Sequence, residues 1–265
     1  VEQALTDAGI ACAAQSPTDA DMLRALLAGD VAAAVLVNEN APCLNADTYR
    51  ELMRAVGNRP AAVLLPDMET PLAIAFPGAL LRELPIQGPV SLQRLVETLN
   101  AQNIPMKVVH TQGSEAAVAV ENAESFSLAW RFLREQLVLR HLRGGVIVLE
   151  PERTVIETNV QIGEGTVIHG GNTLQSGTVI GKGCTLYPNN RLDAAVIGDY
   201  VTVESSVLLR CKVGDRTTVG PYAYLRPDAE VGEHCRIGDF VEIKNSVIGD
   251  GTKVSHLTYV GDSDL

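Results

Sequence analysis

Four side chains in the second half of the sequence have the types and spacing to handle a phosphorylated substrate. Arg226 and Lys244 are two cations 18 residues apart, and His256 and Tyr259 follow within the next 15. A guanidinium fork beside an ammonium point charge suits a phosphate. An imidazole titrating near neutrality is the usual group for taking a proton from an amine or alcohol nucleophile, and Tyr259 adds a hydroxyl beside it. A blander reading stands next to this one: Asp239 or Glu242 neutralises the two cations locally, and His256 is one exposed residue of a repeat. The remaining histidines (His110, His141, His169, His234) share no metal-type spacing with one another or with the cysteines, so no structural zinc is expected.

What would position these groups is a period. Arg226 follows Leu225 and Lys244 follows Ile243. Both aliphatics belong to a series of 19 that runs from Ile156 to Val260, with 14 steps of six residues and four of five. A six-residue period means a short strand, a corner and another short strand. Three such rungs close a triangular coil whose aliphatics stack along a common axis. The series therefore predicts a parallel β-helix of six coils. Nine members are followed directly by Gly, which is expected to supply the tight corners. A β-sandwich is the competing fold, but sandwiches lack a fixed six-residue step. In the solenoid, Arg226 and Lys244 occupy equivalent positions one coil apart, about 4.8 Å along the same outer face. Two cations at that separation repel by about 1 kcal/mol in water, which invites an anion between them.

The rest of the chain reads differently. With 32 acidic and 21 basic residues in 265, the net charge is −11, which argues against a general binder of nucleic acid or anionic membranes. The longest apolar run, residues 31–37, is far too short to span a bilayer, and no signal-like segment opens the chain. Five cysteines (Cys12, Cys43, Cys184, Cys211, Cys235) without a CxxC pair read as free thiols of a reducing cytoplasm. Apolar strings at residues 32–37, 61–65 and 106–109 alternate with helical patterns at 19–27, 47–56 and 90–99, which predicts an α/β layer with a largely parallel sheet. A long helical pattern over 124–142 ends at Gly144-Gly145. The expected organisation is an α/β domain at 1–122, a connecting helix at 123–145 and the β-helix at 146–265. The start at Val1 and the stop at Leu265 are read as the ends of a fragment.

Three runs carry a resemblance: Val219-Gly220-Pro221-Tyr222-Ala223-Tyr224-Leu225-Arg226-Pro227, Gly238-Asp239-Phe240-Val241-Glu242-Ile243-Lys244-Asn245, and Lys253-Val254-Ser255-His256-Leu257-Thr258-Tyr259-Val260-Gly261-Asp262. Over residues 119–265 the chain closely resembles the acetyltransferase arm of the bacterial bifunctional N-acetylglucosamine-1-phosphate uridylyltransferase / glucosamine-1-phosphate N-acetyltransferase family. The resemblance implies a left-handed parallel β-helix of hexapeptide repeats and a homotrimer with sites between adjacent solenoids. It implies acetyl transfer from acetyl-CoA to the amine of glucosamine 1-phosphate, within UDP-N-acetylglucosamine and cell-wall synthesis. Arg226 and Lys244 would hold the sugar phosphate, His256 would be the general base and Tyr259 would contact the sugar, with no metal needed. The family's further asparagine, lysine and acetyl-CoA contacts would lie beyond Leu265.

The first half matches the family's uridylyltransferase arm only dimly. It reads as a degenerate nucleotidyltransferase-like domain with a Rossmann-like sheet. The family's magnesium-binding Asp corresponds to Asn40 in Asn38-Glu39-Asn40-Ala41-Pro42, and its second ligand to Glu121 in Ala119-Val120-Glu121. Gln15-Ser16-Pro17-Thr18 and Gln87-Gly88 are faint traces of its uracil and sugar loops. This arm is therefore expected not to transfer uridylyl groups, and magnesium would matter only if it did. Two other functions remain open: a non-catalytic sugar-nucleotide-binding subunit, and an acyltransferase for another sugar.

Overall fold

The computed structural model describes residues 31–38, 40–41, 43–63, 71–86, 89–109 and 119–265, with residues 5, 6, 9–11, 21, 23, 25 and 27 besides. Cys12, His110, Glu39, Pro42, the 15–18 and 87–88 motifs, and most of the expected 19–27 helix lie outside the described residues. The chain divides into two compact units, Val1–Phe132 and Leu133–Leu265.

In the first unit, strands β1 (Ala33–Val37), β2 (Ala61–Val63), β3 (Ala73–Pro77) and β4 (Lys107–Val109) form one sheet in the order β1-β3-β2-β4. Alternate residues face opposite sides. Ala73 and Ala75 join one core with Tyr49 and Leu52, while Ile74 and Phe76 join another with Leu81, Leu95 and Leu99. Helix α1 (Ala46–Ala55) covers the first face; α2 (Gly78–Glu83) and α3 (Leu92–Ala101) cover the second. Side-chain caps start two of them: Asn45 accepts from Thr48 N at 2.9 Å and Ser91 from Arg94 N at 3.2 Å. The layered α/β architecture agrees with the sequence pattern, but the largely parallel sheet does not. β3 pairs antiparallel with both β1 and β2, and only β2 and β4 run parallel. The reason is length. Nine residues, 64–72, join β2 to β3, fewer than a parallel crossover needs.

Helix α4 (Ala123–Arg143) matches the helical pattern over 124–142, and Asn122 caps it through Ser125 N at 2.9 Å. In the second unit, 20 short strands, from β5 (Ile147–Val148) to β24 (Tyr259–Gly261), make three parallel walls of seven, seven and six strands. The first wall contains Ile147–Val148 through Lys253–Val254, the second Val155–Ile156 through Tyr259–Gly261, and the third Gln161–Ile162 through Val247–Ile248. This is the hexapeptide β-helix expected, with about seven turns rather than six coils, because Ile147–Val148 adds a rung before Ile156. The first turn holds 20 residues, from Val148 to Ile168, and the later ones 16 to 18: Leu192 pairs with Leu208, Leu208 with Leu225 and Leu225 with Ile243. Eighteen of the 19 aliphatics are buried, and Ile162 packs against them half-exposed. Each buried Val, Leu or Ile contributes roughly 1.5–3 kcal/mol, and only stacking of neighbouring coils buries it. Val138 of α4, with Val146 and Val148, joins the first-coil end of this core.

The corners correct the glycine expectation. Of the nine glycines directly after a rung, only Gly220 has a positive φ. The left-handed residue lies further along, third after the aliphatic in six-residue steps and second in five-residue steps. Gly165, Gly171 and Gly177 hold it early, then Tyr200, Arg216, Tyr222, His234, Phe240 and Leu257. The glycines after the rungs answer to a different demand. A Cβ on Gly163 would stand 2.5 Å from Lys182 N, and one on Gly214 would stand 2.6 Å from the Gly232 carbonyl carbon. Coil packs on coil there with no room for a side chain.

Candidate functional site

All four expected site residues lie on the last coils. Strands β18 (Tyr224–Leu225), β21 (Glu242–Lys244) and β24 are consecutive on the second wall, with Leu225, Ile243 and Val260 in one inward column. Arg226 N donates to Ile243 O at 2.8 Å, and Lys244 pairs with Gly261. Arg226, Lys244 and Gly261 thus form one column, as the period requires, with the two cations one strand spacing apart. Tyr224, Glu242 and Tyr259 form the parallel outward column beside it.

The cations are not bare. Arg226 Nη1 donates to Glu242 Oε1 at 2.8 Å, and its guanidinium carbon lies 5.9 Å from the Tyr224 ring centre. Lys244 Nζ stands 3.6 Å from Asp262 Oδ2, and Asn245 Nδ2 donates to Asp262 Oδ1 at 2.8 Å. Of the two neutralising partners weighed on sequence, Glu242 is in place, whereas Asp262 takes the position proposed for Asp239. The hydrogen bond that Arg226 donates to Glu242 raises the pKa of Arg226, and the hydrogen bond from Asn245 and the charge of Lys244 hold the Asp262 carboxyl below its usual range. Both pairs are open to solvent, where such contacts are weak. Only one guanidinium nitrogen of Arg226 is committed, so the rest of its fork remains for an anion.

Tyr259 owes its pose to a missing side chain. A Cβ on Gly261 would come within 2.6 Å of Tyr259 Cζ, so the phenol lies over the glycine at the end of the cation column. His256 occupies the corner between the first and second walls, two residues past Val254 in the register of Asp239, two past Ile237. Leu257 N donates to Asp239 O at 3.1 Å, and the Thr258 hydroxyl donates to the His256 carbonyl at 2.8 Å. The imidazole is exposed. The coils thus gather two stacked cations, an exposed base and a phenol on adjoining faces of one end. Such a group can grip a phosphate and accept a proton nearby.

Sequence reasoning passed over Tyr224, Asn245 and Asp262. Tyr224 was legible, since it precedes a rung residue just as Tyr259 does. Asp262 was not, because its pairing with Lys244 depends on how a five-residue step closes at Asn245, whose φ is 42°. In the first unit, Val120 N donates to Asn40 O at 2.8 Å, which draws the Asn40 and Glu121 segments together. They supply one amide and one carboxylate, the amide where the resemblance places an aspartate and the carboxylate at its second ligand position. Among the described residues no group of three or more His, Cys, Asp or Glu could hold a metal. The four described cysteines are free and buried. Burial pushes Cys43 up to about 11 and Cys211 to about 12, so neither is a nucleophile near neutrality. No described helix is long and apolar enough to cross a membrane.

Residues 210–245, which include Arg226 and Lys244, match the family model for the bacterial transferase hexapeptide (six repeats). The bifunctional protein GlmU of Clostridium novyi is 44% identical over 179 residues, covering 68% of this chain and 39% of that protein. The GlmU of Clostridium kluyveri is 41% identical over 184 residues, and that of a Clostridium botulinum type F strain is 47% identical over 151. The chain therefore spans about two fifths of the length of the curated relatives it matches, 39% for the first of them. Among solved structures, the acetyltransferase domain of PglB from Neisseria gonorrhoeae, in complex with acetyl coenzyme A, aligns at 16% identity with a TM-score of 0.38. That alignment covers 59% of this chain and 72% of that one.

Proposed function

We propose that this chain, a member of the GlmU family, takes part in acetyl transfer from acetyl-CoA to the amine of glucosamine 1-phosphate. The observation that carries the reading is the Arg226–Lys244 column, with Tyr259 at its end and His256 on the adjoining corner. The two cations hold the sugar phosphate, and Tyr259 contacts the sugar ring. His256 takes the proton from the amine as its nitrogen bonds to the thioester carbonyl carbon. The carbon–sulfur bond then breaks, and the CoA thiolate leaves. Glu242 and Asp262 hold the cations upright until the phosphate arrives.

The sites form between adjacent solenoids of a homotrimer in the cytoplasm, and the division into an α/β domain, a connecting helix and a β-helix follows the family. The α/β domain does not transfer uridylyl groups, a reading supported by Asn40 and Glu121 standing where the family's metal ligands fall. The deciding assay is release of CoA thiol by the full-length protein with glucosamine 1-phosphate. A general base contributes roughly 100- to 10,000-fold, so His256→Ala lowers turnover by at least about 100-fold. Wild-type turnover in that variant would remove His256 from the reaction. Equal turnover on glucosamine without its phosphate would point to another acceptor, and binding without any turnover would point to a non-catalytic subunit.

A further inference from the structure

The first wall carries a second basic column that acetyl transfer does not use. Arg236 of β20 (Arg236–Ile237) pairs in register with Lys253 of β23 (Lys253–Val254), and Thr218 is the preceding residue of the same column. All three are exposed. Among the described residues, neither cation has an ion pair or a side-chain hydrogen bond. The other walls treat the same outward register differently. On the third wall Lys212 Nζ sits 2.6 Å from Glu230 Oε1 one coil on, and on the second wall Glu242 itself fills the position and takes Arg226. At a corner, Lys182 also has a partner, Asp199 at 3.5 Å. At the corner just before Arg236 and Lys253, Asp250 Oδ1 is committed to Glu233 N at 2.7 Å. In a chain of net charge −11, two stacked cations left without a carboxylate are conspicuous.

The ground beside the column is bare. The next outward positions along the wall are Gly220, Gly238 and Ser255, so no bulky side chain stands directly beside the column on that shelf. Beyond the shelf, the Tyr222 and Phe240 rings stack at 5.2 Å and 17°, closing its far side.

We propose that Thr218, Arg236 and Lys253 form an anion site for the phosphate or diphosphate group of a small soluble ligand, separate from the Arg226–Lys244 column. The donor set is a hydroxyl, a planar fork and a point charge at one-coil intervals, which matches oxygens spread along a phosphate chain. This site does not depend on the acetyl-transfer reading.

The test is calorimetric titration with inorganic diphosphate at low salt, in the Arg226→Gln/Lys244→Gln background so that only the first wall is read. Binding persists there, falls at least 10-fold on adding Arg236→Gln with Lys253→Gln, and falls two- to three-fold with Thr218→Ala. Arg236→Lys with Lys253 intact retains most of it. Adding Lys182→Gln with Lys212→Gln instead, which removes two paired cations, leaves it unchanged. No binding in the background protein, or an equal loss from the Lys182/Lys212 control, overturns the site. So does a change of sedimentation mass in the Arg236/Lys253 variant while diphosphate binding is kept, which would make the column a contact between copies.

Discussion

Gly163 and Gly165 lie two residues apart in one turn, yet the structure excludes a side chain at each for a different reason. Gly165 has φ +75°, and its added Cβ would meet nothing nearer than Gly183 N at 3.9 Å. Alanine there bears only the left-handed penalty of about 1–2 kcal/mol, offset by about 0.4–1 kcal/mol from a stiffer unfolded chain. Gly163 has no left-handed φ, but its Cβ would stand 2.5 Å from Lys182 N and 2.6 Å from the Gly181 carbonyl carbon. Both obstacles are backbone of the next coil, so relief means parting the coils by about 1 Å, the shortfall from ordinary contact. That strains the Gly163 N to Gly181-coil ladder, including its 2.9 Å bond to Ile180 O. Overpacking of this kind costs about 1–3 kcal/mol, and a rigid neighbour places it at the upper end. Gly163→Ala should therefore lose about 2–3 kcal/mol in urea unfolding followed by far-UV circular dichroism, and Gly165→Ala about 1 kcal/mol or less, with m unchanged. Gly165→Asn should recover part of its loss, because Asn tolerates the left-handed region, whereas Gly163→Asn should not. If Gly165→Ala proves as damaging as Gly163→Ala, the close approach of coils is not what selects glycine after the rungs.

Gly261→Ala should leave stability within about 0.5 kcal/mol, since only the exposed Tyr259 ring must swing aside; it should raise KM for glucosamine 1-phosphate several-fold with little change in kcat, and an unchanged KM would separate Tyr259 from the sugar. At pH 8 a thiol reagent should label none of Cys43, Cys184, Cys211 and Cys235 in the folded chain and all four in urea, because burial raises Cys43, Cys184 and Cys211 and encloses Cys235; rapid labelling of Cys211 without urea would contradict its burial. His141 is buried, and burial followed by the neighbouring Arg140 charge lowers its pKa below 6.5. The unfolded chain then binds more protons than the folded one, so the contribution of neutral His141 is complete above pH 6.5 and is lost as the pH falls toward the lower folded value. His141→Gln should flatten the urea midpoint over that window, and an undiminished slope would assign it elsewhere.

The β-helix was legible because one demand, an aliphatic every five or six residues, repeats from Ile156 to Val260 and tolerates no polar substitute. The Arg226–Lys244 column followed from the same arithmetic. The corner residues were not legible, since Tyr200, Arg216, His234, Phe240 and Leu257 all adopt a left-handed φ that their types do not announce. Strand β3 escaped notice for another reason. Ala73, Ile74, Ala75 and Phe76 are buried on both faces, so the short segment has no alternation to read. Its insertion between β1 and β2 is what turned the expected parallel sheet into a mixed one. The contact of Lys244 with Asp262 depends on the register of neighbouring coils, a relation that appears only once the chain is wound.

Three walls and a shared pitch impose a rule on how such a chain can lengthen. Duplicating three rungs slides everything downstream along the axis and returns every side chain to its own wall. Duplicating a single rung turns the remainder through a third of a revolution, so that a cation facing one wall would face the next. Growth by whole coils therefore preserves the alignment of Arg226 with Lys244, whereas an insertion of one rung between them would scatter the pair even with every residue retained.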